Sequence, residues 1–361
     1  MTTPVVAVDC NGADLGPAEV AAGAALAAAQ GARVLLFGPA AQLEDSQQPS
    51  PDGVEIVDAP VSIAKNADPA SAVRRTPEAS IVQAARAVAE GRAQALVCAG
   101  GTGAALAAGL FNVKRARGIY RPALAIPLPI PGRLGGHSVV FLDVGANAEA
   151  RREHLVQFAF MGAALARTVL DVESPRVGLL SNGEEAARGS SLIVETGEAL
   201  AEKAGGGEAL RFVGNVEGGD VVSGVADVIV TDGLTGNIAL KLMEGVSQTL
   251  LGAVRDAAMA STRAKLGGAL LAPALRGVRD ELDPERQGGA YLLGLRSLGV
   301  VPHGRFTRRG FAQAILRARR GAEEDLVGGT QLALEAAGAL RERPGAVAPV
   351  SASSASLPQA R

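Results

Sequence analysis

A chain of 361 residues with a formal net charge of -2, 48% hydrophobic and 20% charged, is long enough to bury a large core without staples. Only 3% of it is aromatic and it has no Trp, which excludes a stacking surface for nucleic acid, and the near balance of charge excludes a basic field that tracks phosphates. Cys10 and Cys98 each end an apolar run and have neither metal-ligand spacing nor the number of a disulfide framework, so they read as packing residues in a reducing cytoplasm.

The core must come from Val, Leu, Ile and Ala, which suits parallel sheet wrapped by Ala-rich helices. Val5 to Val8 reads as a strand, Pro17 to Gln30 as a helix and Arg33 to Phe37 as the next strand, followed by a polar loop over Asp45 to Gly53. Helix Ser80 to Glu90, strand Ala95 to Cys98 and helix Thr102 to Lys114 form another unit. Strand Val139 to Leu142 feeds helix Glu153 to Val169, and strands Val177 to Leu180 and Val225 to Val230 each precede a polar turn. From Gly236 to Leu282 the strands stop. There a helical stretch interrupted near Gly267-Gly268 and Pro273 predicts a projecting hairpin over about residues 240–285. Strand Gly299 to Val301 and helix Gly310 to Arg320 return to the body. The alternation predicts one doubly wound α/β domain over residues 1–330, and the Ser, Ala and Pro of residues 341–361 predict a disordered tail. The N-terminus lacks the basic segment of a signal peptide, and no apolar run reaches the roughly 18 residues of a spanning helix. The chain therefore reads as soluble, or at most peripheral to a membrane.

In open α/β sheets ligands bind beyond the carboxyl ends of strands, so the turns after strands are where chemistry is sought. Gly100-Gly101-Thr102-Gly103 lies between strand and helix, where glycines let backbone amides approach an anion; a tight packing turn would look the same. Asp143 to Asn147, Ser181-Asn182-Gly183-Glu184-Glu185 and Gly214-Asn215-Val216-Glu217-Gly218 read as three polar turns that each set an amide near glycine. Asp232 ends a buried strand, and Asn237 and Lys241 follow four apart on one helical face, aimed at a site or simply solvated. Of the three histidines, His137 reads as a surface turn, His154 as a helix start, and His303, after a strand end, as the one near chemistry.

Taken together, Asp143 to Asn147, Glu153-His154-Leu155, Arg176 to Leu180 with Gly183-Glu184-Glu185, Gly214 to Gly218 and Asp232 to Lys241 resemble the phosphate:acyl-acyl carrier protein acyltransferase family of bacterial phospholipid synthesis, PlsX. The resemblance runs in order from Asp9 to about Arg320. It implies a Rossmann-like α/β/α sandwich, a homodimer, and acyl carrier protein and inorganic phosphate as partners, with the acyl phosphate passed to a membrane glycerol-3-phosphate acyltransferase. The first loop keeps Asp9, Gly12 and Asp14 but departs from the family at Asn11, Ala13 and Leu15, and Gly101 stands where asparagine is usual.

Attack of phosphate on a thioester needs an anion site and oxyanion stabilisation but no enzyme nucleophile, and the sequence offers neither a serine elbow nor a Cys-His arrangement. No cofactor or metal is expected. The expected roles are Gly100 to Gly103 and Lys241 on phosphate, Asn147, Asn182 and Asn237 orienting it or the carbonyl, and Asp232 and Glu184 orienting Lys241 or managing a proton. Asn215, Asp9, Gly12, Asp14 and His303 complete the expected substrate-binding set. Leu266, Leu270, Leu271, Leu275 and Val278, flanked by basic residues between Arg263 and Arg279, form an apolar face suited to a lipid surface or to a dimer partner. The rival readings are a phosphotransacetylase using acyl-coenzyme A, a dehydrogenase of a related fold, and a non-catalytic acyl-binding scaffold.

Overall fold

The structure is a computed structural model, and it describes residues 3–46, 52–130, 138–204, 209–281 and 283–341. Most of the expected tail, residues 47–51 of the Asp45 to Gly53 loop and His137 lie outside these residues.

The amino-terminal half lays down β1 (Val5–Asp9), α1 (Pro17–Ala28), β2 (Arg33–Gly38), α2 (Ala40–Ser46), β3 (Val54–Asp58), α3 (Pro69–Arg75), α4 (Ser80–Ala89), β4 (Ala95–Cys98) and α5 (Thr102–Ala108). The second half adds β5 (Ala123–Pro129), β6 (Ser138–Leu142), α6 (Arg152–Leu170), β7 (Arg176–Leu180), α7 (Ser191–Ala204), β8 (Arg211–Val216) and β9 (Val228–Val230). Then come α8 (Gly233–Met259), α9 (Thr262–Glu281), β10 (Ala290–Leu293), β11 (Leu298–Val301), α10 (Arg308–Glu323) and α11 (Leu326–Ala336).

All the strands join one sheet in the order β3-β2-β1-β4-β11-β10-β5-β6-β9-β7-β8. The block β3-β2-β1-β4-β11 is parallel, β10 is antiparallel to both of its neighbours, and β5 pairs antiparallel with β6. The block β6-β9-β7-β8 is parallel within itself and therefore runs opposite to the first. Strand residues alternate between faces, and the core follows that alternation. On one face Val6, Val8, Leu36, Val97, Val140, Leu142 and Val228 share a single cluster with residues of α1, α6, α10 and α11, unbroken across both blocks. On the other face the core is divided. Ala7, Phe37, Leu96 and Leu292 pack with residues of α3, α4 and α5, while Val139, Phe141, Ile229 and Leu124 pack separately with Leu240 of α8.

Three expectations are corrected. Gly214, Asn215 and Val216 are not a turn but the end of edge strand β8, where Gly214 takes φ +89°. The hairpin does not break at Gly267-Gly268 or Pro273, both of which lie inside α9. It breaks at Ala260-Ser261, where the Ser261 hydroxyl accepts from the Ala264 amide at 3.1 Å and caps the new helix. The helix expected to run to Lys114 ends as α5 at Ala108 and continues as one π-helical turn, closed by Lys114 at φ 70°. Among the described residues no helix is long and apolar enough to cross a membrane.

Candidate active site

Two groups of loops lie at the carboxyl ends of the two opposed strand blocks. The first joins the ends of β1, β4 and β11. Asp9, the last residue of β1, is buried, and its Oδ1 accepts from the Ser80 hydroxyl at 2.5 Å and from the Asn11 amide at 3.1 Å. The Cys98 thiol lies 3.5 Å from its other oxygen. Burial pushes the Asp9 carboxyl up despite these bonds, and burial, aided by Asp9, pushes both Cys10 and Cys98 well up. Both thiols are buried, and their protonated form is favoured.

Just beyond, the three loops meet backbone to backbone. A side chain on Gly12 would come within 1.6 Å of the Ala99 carbonyl oxygen, and one on Gly100, at φ +90°, within 2.4 Å of the Gly12 carbonyl oxygen. The Asp14 amide donates to the Gly304 carbonyl at 2.7 Å. Only glycine permits this approach. Gly101 is buried against Ala64, whereas Thr102 and Gly103, in the first turn of α5, are exposed. His303 is exposed at the end of β11, its Nδ1 accepting from the Arg305 amide at 3.3 Å. Partial burial, with Arg305 and Lys241 nearby, lowers its pKa and keeps it neutral at pH 7.

The second group roots α8. Asp143 accepts from the amides of Leu124, Gly145, Ala146 and Asn147 at 2.8–3.2 Å. The Asn147 side chain donates to Asp143 Oδ2 at 2.8 Å and to the Pro122 carbonyl at 2.7 Å. Its amide nitrogen, expected to orient a ligand, is engaged by the protein's own framework. Asp232 caps α8, accepting from the amides of Leu234 and Thr235 at 3.0 and 2.9 Å and from the Thr235 hydroxyl at 2.7 Å. A side chain on Gly236 would come within 1.9 Å of the Asp143 carbonyl oxygen, and one on Gly233 within 2.5 Å of the Asn147 carbonyl oxygen.

α8 connects the two groups. Asn237 is exposed beside Gly145, and one turn further Lys241 is exposed and donates to Glu244 at 2.8 Å. The expected partners of Lys241 are thus replaced: Asp232 is occupied as a helix cap, Glu184 stands exposed on the loop after β7, and Glu244 holds the ammonium. Glu244 was legible as an i,i+3 partner. Ser80, 71 residues from Asp9, had no local signal. Lys241 and Glu244 both act electrostatically on His303, as does Asp14, so the charges of this part of α8 are felt at the first group. Asn182 is exposed, and Asn215 is engaged in tying down the loop after β7, donating to the carbonyls of Glu185 and Arg188 at 2.9 and 3.3 Å. Gly12, Asp14, Gly100 and Gly304 thus meet directly with His303 alongside and Lys241 within electrostatic reach, while the amide nitrogens of Asn147 and Asn215 and the carboxylate of Asp232 are bonded to the framework. Among the described residues no group of three or more His, Cys, Asp or Glu side chains is placed to hold a metal ion.

A family model described as "Fatty acid synthesis protein" matches residues 5–327. A phosphate acyltransferase of Streptococcus equi subsp. zooepidemicus is 41% identical over 326 residues, covering 90% of this chain and 95% of that protein. One of Geobacillus thermodenitrificans is 40% identical over 332 residues, covering 91% and 98%. Among solved structures, a phosphotransacetylase from Streptococcus pyogenes superposes with a TM-score of 0.61 at 15% identity, over 90% of this chain and 95% of that one. The EutD phosphotransacetylase from Staphylococcus aureus gives 0.58 at 17% identity, over 88% and 94%. Those two likenesses concern the fold.

Proposed function

The chain belongs to the fatty acid synthesis protein family and is an acyltransferase; from that premise we propose that it transfers a fatty acyl group from acyl carrier protein to inorganic phosphate. A phosphate oxygen bonds to the thioester carbonyl carbon, the carbon–sulfur bond breaks, and the proton of hydrogen phosphate ends on the leaving thiol. Acyl phosphate and free carrier protein result, with no acyl-enzyme.

The observation that carries this reading is the junction of Gly12, Asp14, Gly100 and Gly304, with His303 beside it in sequence and the Lys241 ammonium of α8 within electrostatic reach of that histidine. Lys241 supplies positive charge for phosphate, and the first-turn amides at Thr102 and Gly103 supply donors that the helix itself leaves unpaired. Asn237, exposed on the same helix, orients the phosphate or the carbonyl, and neutral His303 donates to the developing oxyanion. Buried, unionised thiols at Cys10 and Cys98 agree with direct attack by phosphate.

The same reading gives the protein a cytoplasmic location and a homodimeric state, and its product serves a membrane glycerol-3-phosphate acyltransferase. An exposed apolar stripe on α8, at Leu234, Ile238, Leu242, Val246 and Leu250, supports a partner subunit. Leu266, Leu270 and Leu271, exposed on α9, support peripheral contact with lipid; the side chains of Leu275 and Val278 lie outside the described residues. The decisive experiment incubates the protein with acyl-acyl carrier protein or acyl-coenzyme A and labelled phosphate. Acyl phosphate formed chiefly from the carrier-protein thioester is expected. Preference for the coenzyme A thioester would make it a phosphotransacetylase, and no product from either would make it a binding relative.

A further inference from the structure

The segment from Lys114 to Arg121 joins the π-helical turn to β5 and carries Lys114, Arg115, Arg117 and Arg121, all exposed, with no carboxylate. Three other segments are bonded to it. The Arg296 amide donates to the Lys114 carbonyl at 3.0 Å, and the Arg341 amide donates to the Gly118 carbonyl at 2.8 Å. Gln157 accepts from the Tyr120 amide at 2.8 Å, and the ring of His154, in the first turn of the same helix, lies 5.9 Å from that of Tyr120. The Arg151 amide donates to His154 Nδ1 at 3.2 Å and Arg121 directly follows Tyr120, so this ring contact brings the two arginines to one neighbourhood, and both lower the His154 pKa. Arg341 sits over the Tyr120 ring at 5.8 Å.

One surface thus presents eight exposed cations, the four of the loop with Arg151, Arg152, Arg296 and Arg341, against Glu149 and Glu153. Glu153 offsets Arg152 at 3.2 Å. In a chain whose net charge is -2, this is segregation of charge rather than composition. None of these segments exposes a large apolar side chain; the nearest in sequence, Phe111 in the preceding π-helical turn, has the Arg74 guanidinium over its ring at 5.1 Å. A lipid surface would be gripped by such side chains, whereas a folded acidic protein is met by charge alone.

We propose that this basic platform is the docking surface for an acidic carrier-protein domain that delivers the acyl thioester, an inference that rests on the function proposed above. The platform leads to the site through covalent and hydrogen-bonded neighbours. Arg121 is followed by Pro122, whose carbonyl holds Asn147, and the Asn147 carbonyl accepts from Gly233 at the root of α8. From Asp232 to Lys241 the helix rises nine residues, about 13 Å at 1.5 Å per residue. A flexible thioester arm extended along α8 covers that span while its protein stays on the platform.

The test is a charge reversal, Arg117→Glu/Arg121→Glu/Arg296→Glu, with the matching triple alanine variant in case the reversal impairs folding, and thermal melting as the check. Binding of acyl-acyl carrier protein is read by titration calorimetry, and turnover is read with that donor and with a short acyl-pantetheine. At least a tenfold rise in Kd and KM for the carrier-protein donor is expected, smaller for the alanine variant, with acyl-pantetheine turnover within twofold of wild type. Wild-type binding that weakens as salt rises is expected too. Unchanged carrier-protein affinity in both variants, no wild-type binding, equal loss on both donors, or loss only of anionic-vesicle or nucleic-acid binding would each overturn the proposal. A wild type that binds carrier protein and loses that binding in the variants, yet forms no acyl phosphate, would sink the catalytic reading and leave the docking surface standing.

Discussion

The root of α8 and the meeting of the β1, β4 and β11 loops use one device, glycine set against a backbone carbonyl, and leave opposite surfaces. At the root the closest approach is Gly236 on Asp143, and the two carboxylates are bonded inward: five donors converge on Asp143 and three on Asp232. At the other meeting point Gly12 presses on Ala99 as tightly, yet Thr102, Gly103, His303 and the approaching Lys241 face outward. Equal closeness of backbone does not imply equal function. What separates scaffold from site is whether polar side chains are already satisfied.

The largest effect expected from this contrast is on stability. Gly236→Ala places a methyl group in the Asp143 carbonyl, and equilibrium urea unfolding should register a loss of more than about 4 kcal/mol, or no soluble protein. A loss under about 1 kcal/mol would mean that the root is not sealed. Lys241→Ala should do the reverse, lowering kcat/KM with acyl-acyl carrier protein roughly 100-fold while the unfolding midpoint barely moves. Equal damage to stability and turnover would erase the distinction between the two regions.

A subtler effect concerns Asp9. Because burial raises its folded pKa, the stability it contributes is fully present below the ordinary carboxylate value and is lost as pH rises through the raised one. Asp9→Asn cannot ionise, so its stability relative to wild type should improve between pH 4 and pH 8, by roughly 1.4 kcal/mol for each tenfold by which folding weakens the Asp9 acid. A gap independent of pH would place the Asp9 carboxyl in a wetter setting than its contacts indicate. Smallest is Glu19→Gln in the same half, which weakens the link to Arg308 between α1 and α10. Arg308 lowers the Glu19 pKa, so this contribution is present above the ordinary carboxylate value and disappears as pH falls through the lowered one. A Tm decrease of roughly 2 °C or less at pH 7, closing in acid, is expected.

Much of the first block was legible, because β1, β2 and β4 are unbroken apolar runs followed by Gly or Asn turns. β5 was not. Its sequence includes Pro127 and Pro129, which argue against a central strand, yet it lies between β10 and β6. The register resolves this: Ala125 faces Tyr291, so both prolines fall beyond the start of β10 at Ala290, where only β6 remains alongside. The Leu124 amide points to Asp143 on the β6 side, so alternate residues, the prolines included, turn toward the side where β10 is absent. β8 was hidden because Gly214-Asn215 has turn chemistry in an edge strand. In the site, Gly12, Gly100 and Lys241 were visible as residue types in suggestive positions. The roles of Asn147 and Asn215 were not, since an amide beside glycine looks the same whether it faces a ligand or a carbonyl several turns away.

The core that is unbroken on one face and divided on the other also has a mechanical consequence. Relative movement of the two halves that leaves the shared cluster intact is expected to keep the face carrying α1, α6 and α10 packed, as covers stay joined at a spine. On the opposite face residues of α5 and Leu240 of α8 belong to separate clusters, so a shift between those two helices is expected to disturb less packing than a shift on the shared side.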